Sequence, residues 1–458
     1  MAFTRPELEQ YAAKHRDRFE QLLQEFVEIP SVSADPDHKA DLERCAELGL
    51  ATVRAFGGKA DIHRVPDGPP VVLGSFESGK GLPTLTIYNH LDVVPASKET
   101  EPWRTDPFTF IKEGDTYRGR GTTDDKGPAL SALIGARAAI DAGAPINIKV
   151  LWELEEEVGS PHFADTLRAI GPAAATDAVV VSDTVWVSRG RPAVSAGLRG
   201  LQTMTLSLET AKTDQHSGTT GGVARNSIAE LAQLVGEIFD ARTGRVKIPG
   251  FYDDVEKLSA AQLADFKAAG FSIAHFKKTY DFSSIRTKDP LDALKRLWAL
   301  PTFEVHGLVG GYTGPGVKTI VPPRAELKVS MRLVPNMKGE KVVKLVKAFV
   351  KKRNPDVRVE AAKPAPPYKA VTSGPYVDAA KRAMKFAFGR DAVTVREGGT
   401  IGAILFMEQI LKCPIVFMGL SLPEHGYHAP NENFDWAQAR GGIVAFAKFF
   451  EEVAAGPR

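Results

Sequence analysis

Early in the chain and again near its end, short runs of apolar residues stand between helix-like stretches. Residues 85–88 (Leu-Thr-Ile-Tyr) follow the turn-forming Gly81-Leu82-Pro83, 146–152 is rich in Ile, Val and Leu, and 178–181 reads Ala-Val-Val-Val. Residues 414–420 form one more such run. Between the first two lies 126–144, small, apolar and helix-like, stopping near Gly143; 443–453 predicts a closing helix. Strands that are apolar along their whole length and alternate with helices predict a buried, mostly parallel sheet with helices on both faces, because neither face of such a sheet meets water.

The middle of the chain follows a different rule. Residues 201–208 and 327–333 alternate apolar and polar positions, as strands do when one face is wet. Helical spacing appears at 228–239 and again in Val342, Val343, Val346, Phe349 and Val350. The pattern therefore predicts an α/β catalytic domain formed by 1–197 and 366–458, with an α+β domain inserted at 198–365. Pro364, Pro366 and Pro367 mark the return between them. The mixed, charged stretch 243–300 is partly helical and finds no place in this scheme. No internal repeat is seen.

Composition narrows the class. A chain of 458 residues suggests two domains, three at most. With 58 Lys plus Arg against 56 Asp plus Glu there is no global field to attract nucleic acid or an anionic membrane. Neither a basic arm nor an aromatic-interleaved basic stripe is present. Cys45 and Cys413 are far apart, which argues against a disulfide framework and a thiolate metal site and fits a reducing compartment. The first twenty residues are charged and lack an apolar core, unlike a signal peptide, and no run approaches the roughly 18 apolar residues of a membrane span. The expectation is a cytoplasmic protein without nucleic-acid or membrane partners.

The candidate chemistry sits where the apolar strands end. The first runs into Asn89-His90-Leu91-Asp92, the next into Glu153-Leu154-Glu155-Glu156-Glu157-Val158-Gly159-Ser160, the third into Ser182-Asp183, and the last into a loop carrying His425 and His428. Asp124-Asp125 precedes the helix at 126–144. Open α/β sheets bind ligands beyond the carboxyl ends of their strands, so these groups should converge on one crevice. Taken singly, each has an ordinary explanation: a solvated helix start, an N-cap, a surface histidine. Together they would place many like charges in a low-dielectric crevice, a conflict that bound cations remove. Imidazole and carboxylate donors without thiolate suit zinc, with manganese or cobalt as alternatives.

In these motifs the chain resembles the superfamily of co-catalytic di-zinc hydrolases that includes aminoacylases, succinyl-diaminopimelate desuccinylases, glutamate carboxypeptidases and carnosinase-like dipeptidases. His90-Leu91-Asp92-Val93-Val94-Pro95 resembles its first ligand motif, and Glu156-Glu157-Val158-Gly159-Ser160 its paired-glutamate segment. The resemblance implies two divalent cations per subunit, held by His90 and Asp183 on one side, Glu157 and His428 on the other, and Asp124 between them. It implies Glu156 as the general base and Asp92 as the residue that orients His90; spacing alone leaves Glu155 open as the base. It also implies a cis peptide bond between Asp124 and Asp125. Asp214-Gln215-His216-Ser217-Gly218 resembles a segment whose histidine crosses a twofold dimer interface, which implies a homodimer with His216 acting in trans. Arg332, Thr400, Gly399, Thr319 and Asn226 match positions that bind substrate, although Ser227 follows Asn226 where the family often has Pro.

Within the superfamily, domain lengths, Arg191-Pro192-Ala193 ahead of Gly197-Leu198-Arg199-Gly200, and the Glu397-Gly398-Gly399-Thr400 loop look most like the carnosinase-like dipeptidases. The implied activity is hydrolysis of a dipeptide or similarly small substrate with release of its C-terminal amino acid. The alternative is an N-acyl-amino-acid deacylase, distinguished by what faces the substrate's amino end, and His425 stands where relatives often carry an acidic residue. A non-catalytic metal-binding protein is a third reading, opposed by the presence of Glu156, since a scaffold needs no base.

Overall fold

The computed structural model describes residues 4–456. Its central sheet has six strands in the order Lys59–His63, Val71–Phe76, Asn147–Glu153, Thr84–His90, Ala178–Val181, Ile415–Phe417. The last four run parallel, and Val71–Phe76 runs antiparallel to both of its neighbours. The fully apolar run Ala178–Val181 is buried throughout because it lies inside the sheet between two strands.

Helices cover both faces. On one, Gly127–Asp141 packs along Trp436–Ala454, with Arg16–Val27 and Pro375–Phe388 beside them. On the other, Phe163–Ile170 packs with Gly402–Leu411. The small residues of Gly127–Asp141 allow this close approach: a Cβ on Gly135 would lie 2.7 Å from the carbonyl oxygen of Ile443.

The inserted segment builds a second, antiparallel sheet ordered Glu304–Gly310, Arg324–Leu333, Gly200–Glu209, Arg358–Ala361. Helices Ser227–Ile238 and Gly339–Arg353 bury its apolar face, where Leu206, Leu327 and Val346 meet. The opposite face carries Thr203, Thr205, Lys328, Ser330 and Arg332, the alternation read from the sequence. The chain enters and leaves this segment side by side, with Leu201 donating to the carbonyl of Ala365 at 2.8 Å.

Part of the stretch 243–300 belongs with the first core. Helices Ala260–Ala268 and Pro290–Trp298 bring Phe266 and Trp298 into T-shaped contact, centroids 5.0 Å apart, within the apolar cluster of the central-sheet body. Ala260–Ala268 buries only Phe266. A helix held by one side chain leaves little periodicity to read.

Candidate metal centre and active site

The strand Thr84–His90 ends in the crevice at His90. The amide of Leu91 still donates to the carbonyl of Glu153 at 2.8 Å, which carries the strand pairing past its end and helps hold Asp92 fully buried. One oxygen of Asp92 lies 3.4 Å from His90 Nδ1 and accepts the amide of Glu156 at 3.1 Å. The other accepts the amide of Glu157 at 3.0 Å. His90 Nδ1 lies 3.1 Å from the backbone carbonyl of Asp92, so the carbonyl and carboxylate of this one residue orient the imidazole while the carboxylate also fixes the turn of the neighbouring glutamates. That turn is a short 3-10 helix, Glu156–Val158, ended by Gly159 at φ 86°, a conformation that glycine adopts without steric cost.

Asp124 stands between the two imidazoles. Its Oδ1 is 3.0 Å from His90 Nε2 and its Oδ2 is 3.1 Å from His428 Nε2. His428 Nε2 is also 3.1 Å from Glu157 Oε2, and His90 Nε2 is 3.8 Å from Asp183 Oδ2. Tyr427 donates its hydroxyl to the other oxygen of Asp183 at 3.1 Å. The Asp124–Asp125 peptide bond is cis. Glu155 turns away, accepting from the backbone and ring of His162 at 2.6 and 3.0 Å. The side chain of Glu156 instead feels His90, Asp183 and Glu157.

Charge balance tests whether this cluster fits cations. Among the described residues, Asp124, Asp125, Glu156, Glu157 and Asp183 face only His90 and His428 as cationic partners, so negative charge is in excess even with both imidazoles protonated. Burial, reinforced by Asp124, pushes Glu157 up to about 7 and Asp183 up to about 6. Burial raises Glu156 and Asp125 well above the carboxylate range, with Asp183 adding to both. Against the effect of burial, Asp124 and Glu157 hold His428 up to about 11. Glu157 Oε1 and Asp125 Oδ1 are buried without a hydrogen-bond partner. Such carboxylates, repelling one another and half unpartnered, fit a pair of divalent cations taking nitrogen and oxygen donors.

Residues 86–452 match the sequence profile of the peptidase family M20/M25/M40. The chain belongs to this family. It is 30% identical to the Beta-Ala-His dipeptidase of Rattus norvegicus, over 98% of this chain and 96% of the relative. To the Cys-Gly metallodipeptidase dug1 of Schizosaccharomyces pombe it is 31% identical, over 96% of each. Among solved structures it is similar to the dipeptidase Dug1p from Saccharomyces cerevisiae, with a TM-score of 0.88, 27% identity and full coverage of both chains. Human carnosine dipeptidase 1 follows with a TM-score of 0.86, 29% identity and 99% coverage of each. The protein is a metal-dependent peptidase of the carnosinase-like branch.

The other sequence-named residues fall into two groups. Arg332 Nη1 donates to the Thr400 hydroxyl at 3.2 Å, with Gly399 in the same loop. His216, Thr319 and Asn226 lie on the inserted segment and make no hydrogen bond or ion pair to the cluster within the chain. His216 is exposed, pairs in register with Ile320, and accepts the amide of Gly218 at Nδ1 at 2.9 Å. Thr319 accepts the amide of Ser217 at its carbonyl, 3.0 Å away. Asn226 caps helix Ser227–Ile238 through the amide of Ala229 at 3.1 Å.

Three further residues of this M20 site escaped sequence reasoning. Asp125 offers an oxygen that, with ligand atoms of His90 and Asp183, forms a set lying within 4.8 Å of one another. It also accepts from Asn89 at 2.6 Å. Glu397 accepts the amide of Val185 at 3.3 Å and is pushed up to about 8 by burial, with Asp183 adding to the effect. Glu432, fully buried, accepts from Arg120 Nη1 at 2.7 Å and from the amides of Gly121, Thr123 and Asp124 at 3.0, 2.9 and 3.1 Å. Asp125 and Glu397 stand inside motifs named above and Glu432 follows His428 by four residues, but their roles depend on contacts that spacing does not encode. His425, by contrast, is buried against Asp435 at 3.0 Å and Thr123 at 3.1 Å, so it helps shape the loop.

Because Glu432 holds the backbone on which Asp124 sits, Glu432→Gln should weaken metal binding roughly 10–100-fold, the usual cost of losing a group that orients ligands. Titration of metal-stripped protein measures this. Unchanged affinity would show that the Asp124 loop keeps its shape without that carboxylate.

Proposed function

We propose that the chain is a two-metal dipeptidase that releases the C-terminal amino acid of a dipeptide. The observation that carries this reading is the placement of Asp124, one oxygen on each imidazole. Relatives named for Beta-Ala-His and for Cys-Gly share the substrate size and differ in its sequence, which favours dipeptides as a class. On this reading His90, Asp183, Glu157 and His428 hold the two cations with Asp124 between them, and Asp125 lies in reach of the first. Zinc is our choice of metal on donor type.

Bound cations would supply the Lewis acidity that activates water and stabilises negative charge on oxygen. The chain's own residues do the rest. Glu156, set against the cluster and kept basic by burial and its neighbours, takes the proton of the attacking water. It returns that proton to the peptide nitrogen, which must leave as an amine. Asp92 keeps His90 and the Glu156 turn in register, a positioning role. Arg332, with Thr400 and Gly399, grips the substrate carboxylate. Glu397, close enough to Asp183 to feel its charge, takes the substrate ammonium, and His425 needs no such role.

Within 198–365, the four-stranded sheet and its two helices, Ser227–Ile238 and Gly339–Arg353, act as a lid and dimerisation domain in this scheme, while the helices between 260 and 298 stay with the central-sheet body. Val223, Val309 and Val317, 91%, 61% and 90% exposed, are apolar side chains on this segment that a second copy of the chain would cover. His216, Thr319 and Asn226, remote from their own cluster, would then complete the partner's site. No helix among the described residues is long and apolar enough to cross a membrane, and we place the enzyme in the cytoplasm on its cysteine usage.

A paired assay of dipeptides and the matching N-acetyl amino acids tests the substrate class. Dipeptides should be cleaved and the acetylated compounds should be poor substrates, because acetylation leaves the half-buried Glu397 without its cation. Glu397→Gln should narrow that preference by roughly tenfold, the worth of a hydrogen bond to a charged group. Faster cleavage of the N-acetyl compounds would instead support the deacylase reading.

A further inference from the structure

Arg199 lies where the chain passes from strand Ala193–Leu198 into strand Gly200–Glu209, and no role above uses it. It is 8% exposed, and its Nη1 is buried without a hydrogen-bond partner. Its Nε donates to the carbonyl of Gly398 at 3.2 Å. A Cβ on Gly398 would lie 3.0 Å from Arg199 Nη2, so the guanidinium is pressed against the backbone of the Glu397–Thr400 loop. The Thr400 hydroxyl accepts from Arg332 and donates to the carbonyl of Arg199, linking the two arginines through one side chain.

Among the described residues neither arginine has a carboxylate within 4.0 Å. Burial, and after it the charge of Arg332, pulls the Arg199 pKa down to about 10, with Glu304 the carboxylate that opposes this. An unpaired buried cation is costly, and a second beside it raises the cost. Structures keep such an arrangement where an anion arrives with a ligand.

We propose that Arg199 is a specificity-determining residue of the carboxylate site: Arg332 and Thr400 hold the C-terminal carboxylate, and Arg199 supplies the second positive charge. The inference rests on the dipeptidase reading above. It makes the enzyme selective for a free C-terminal carboxylate by charge as well as by hydrogen bonding.

The test compares alanyl-leucine with its C-terminal amide on metal-loaded wild-type, Arg199→Met and Arg199→Lys enzymes. Arg199→Met should raise KM for the free acid about 10–100-fold, the scale of a lost charge-assisted interaction, and should leave kcat and the slow amide reaction nearly unchanged. Arg199→Lys, which keeps the charge, should recover part of the loss. An equal fall for acid and amide would make Arg199 a structural residue and overturn the proposal, as would no change in either. Calorimetric binding of leucine against leucinamide reads the same site without turnover. If wild-type enzyme cleaves neither peptide, the dipeptidase reading fails; an unchanged leucine affinity in Arg199→Met would defeat the role of Arg199 itself.

Discussion

Glu156→Gln should reduce turnover by roughly 10²–10⁴-fold, the contribution of a positioned acid–base group, while both metals stay bound. Glutamine keeps the shape and the backbone amide that Asp92 accepts. It removes only the oxygen that takes a proton. Glu155 cannot substitute, because both of its oxygens are committed to His162. Glu157→Gln should behave differently, since its Oε2 faces His428 and its other oxygen has no protein partner. That variant should lose metal along with activity. Metal content and rate measured on the same samples separate the two residues. Near-normal turnover in Glu156→Gln, or loss of both metals from it, would reverse their assignment.

His216→Ala should lower kcat by roughly a hundredfold or more, corresponding to about 2.7–4 kcal/mol for a lost oxyanion donor, again with metals retained. Within its own chain His216 is exposed, and its ring accepts only the neighbouring amide of Gly218. An effect of that size requires either that the lid closes over its own site or that His216 reaches a neighbouring subunit's site, and the family resemblance favours the neighbour. Mixing inactive His216→Ala chains with inactive Glu156→Ala chains provides the check. A heterodimer would pair an intact Glu156 with an intact His216 across the interface, and activity should return. If mass analysis confirms exchange and no activity appears, the trans arrangement is wrong.

The sequence disclosed those parts of the fold whose burial is uniform or strictly alternating. Ala178–Val181 was legible because every side chain is covered, and Gly200–Glu209 because every second one is. The helices between residues 260 and 298 were not, since they attach to the central-sheet body through a few side chains such as Phe266 and Trp298. Tyr368–Lys369, just past the prolines that mark the return, pairs with Ala193–Leu198 through two residues, too few to show a period. At the site, motif resemblance located His90, Asp124, Asp183 and His428, which the fold brings together. Resemblance did not single out Glu432, whose function is to collect three backbone amides from a loop more than three hundred positions earlier. Arg199 is one residue of the Gly197-Leu198-Arg199-Gly200 motif in sequence, and its guanidinium without a partner is visible only in three dimensions.

Peptide hydrolysis by this centre should require two cations on the cluster. Metal-stripped enzyme titrated with zinc, or with manganese in parallel, should regain dipeptide hydrolysis as the metal content approaches two ions per chain, and Asp124→Ala should hold neither ion tightly. Full activity in the stripped enzyme, or saturation at one ion per chain with Asp124→Ala unaffected, would contradict it.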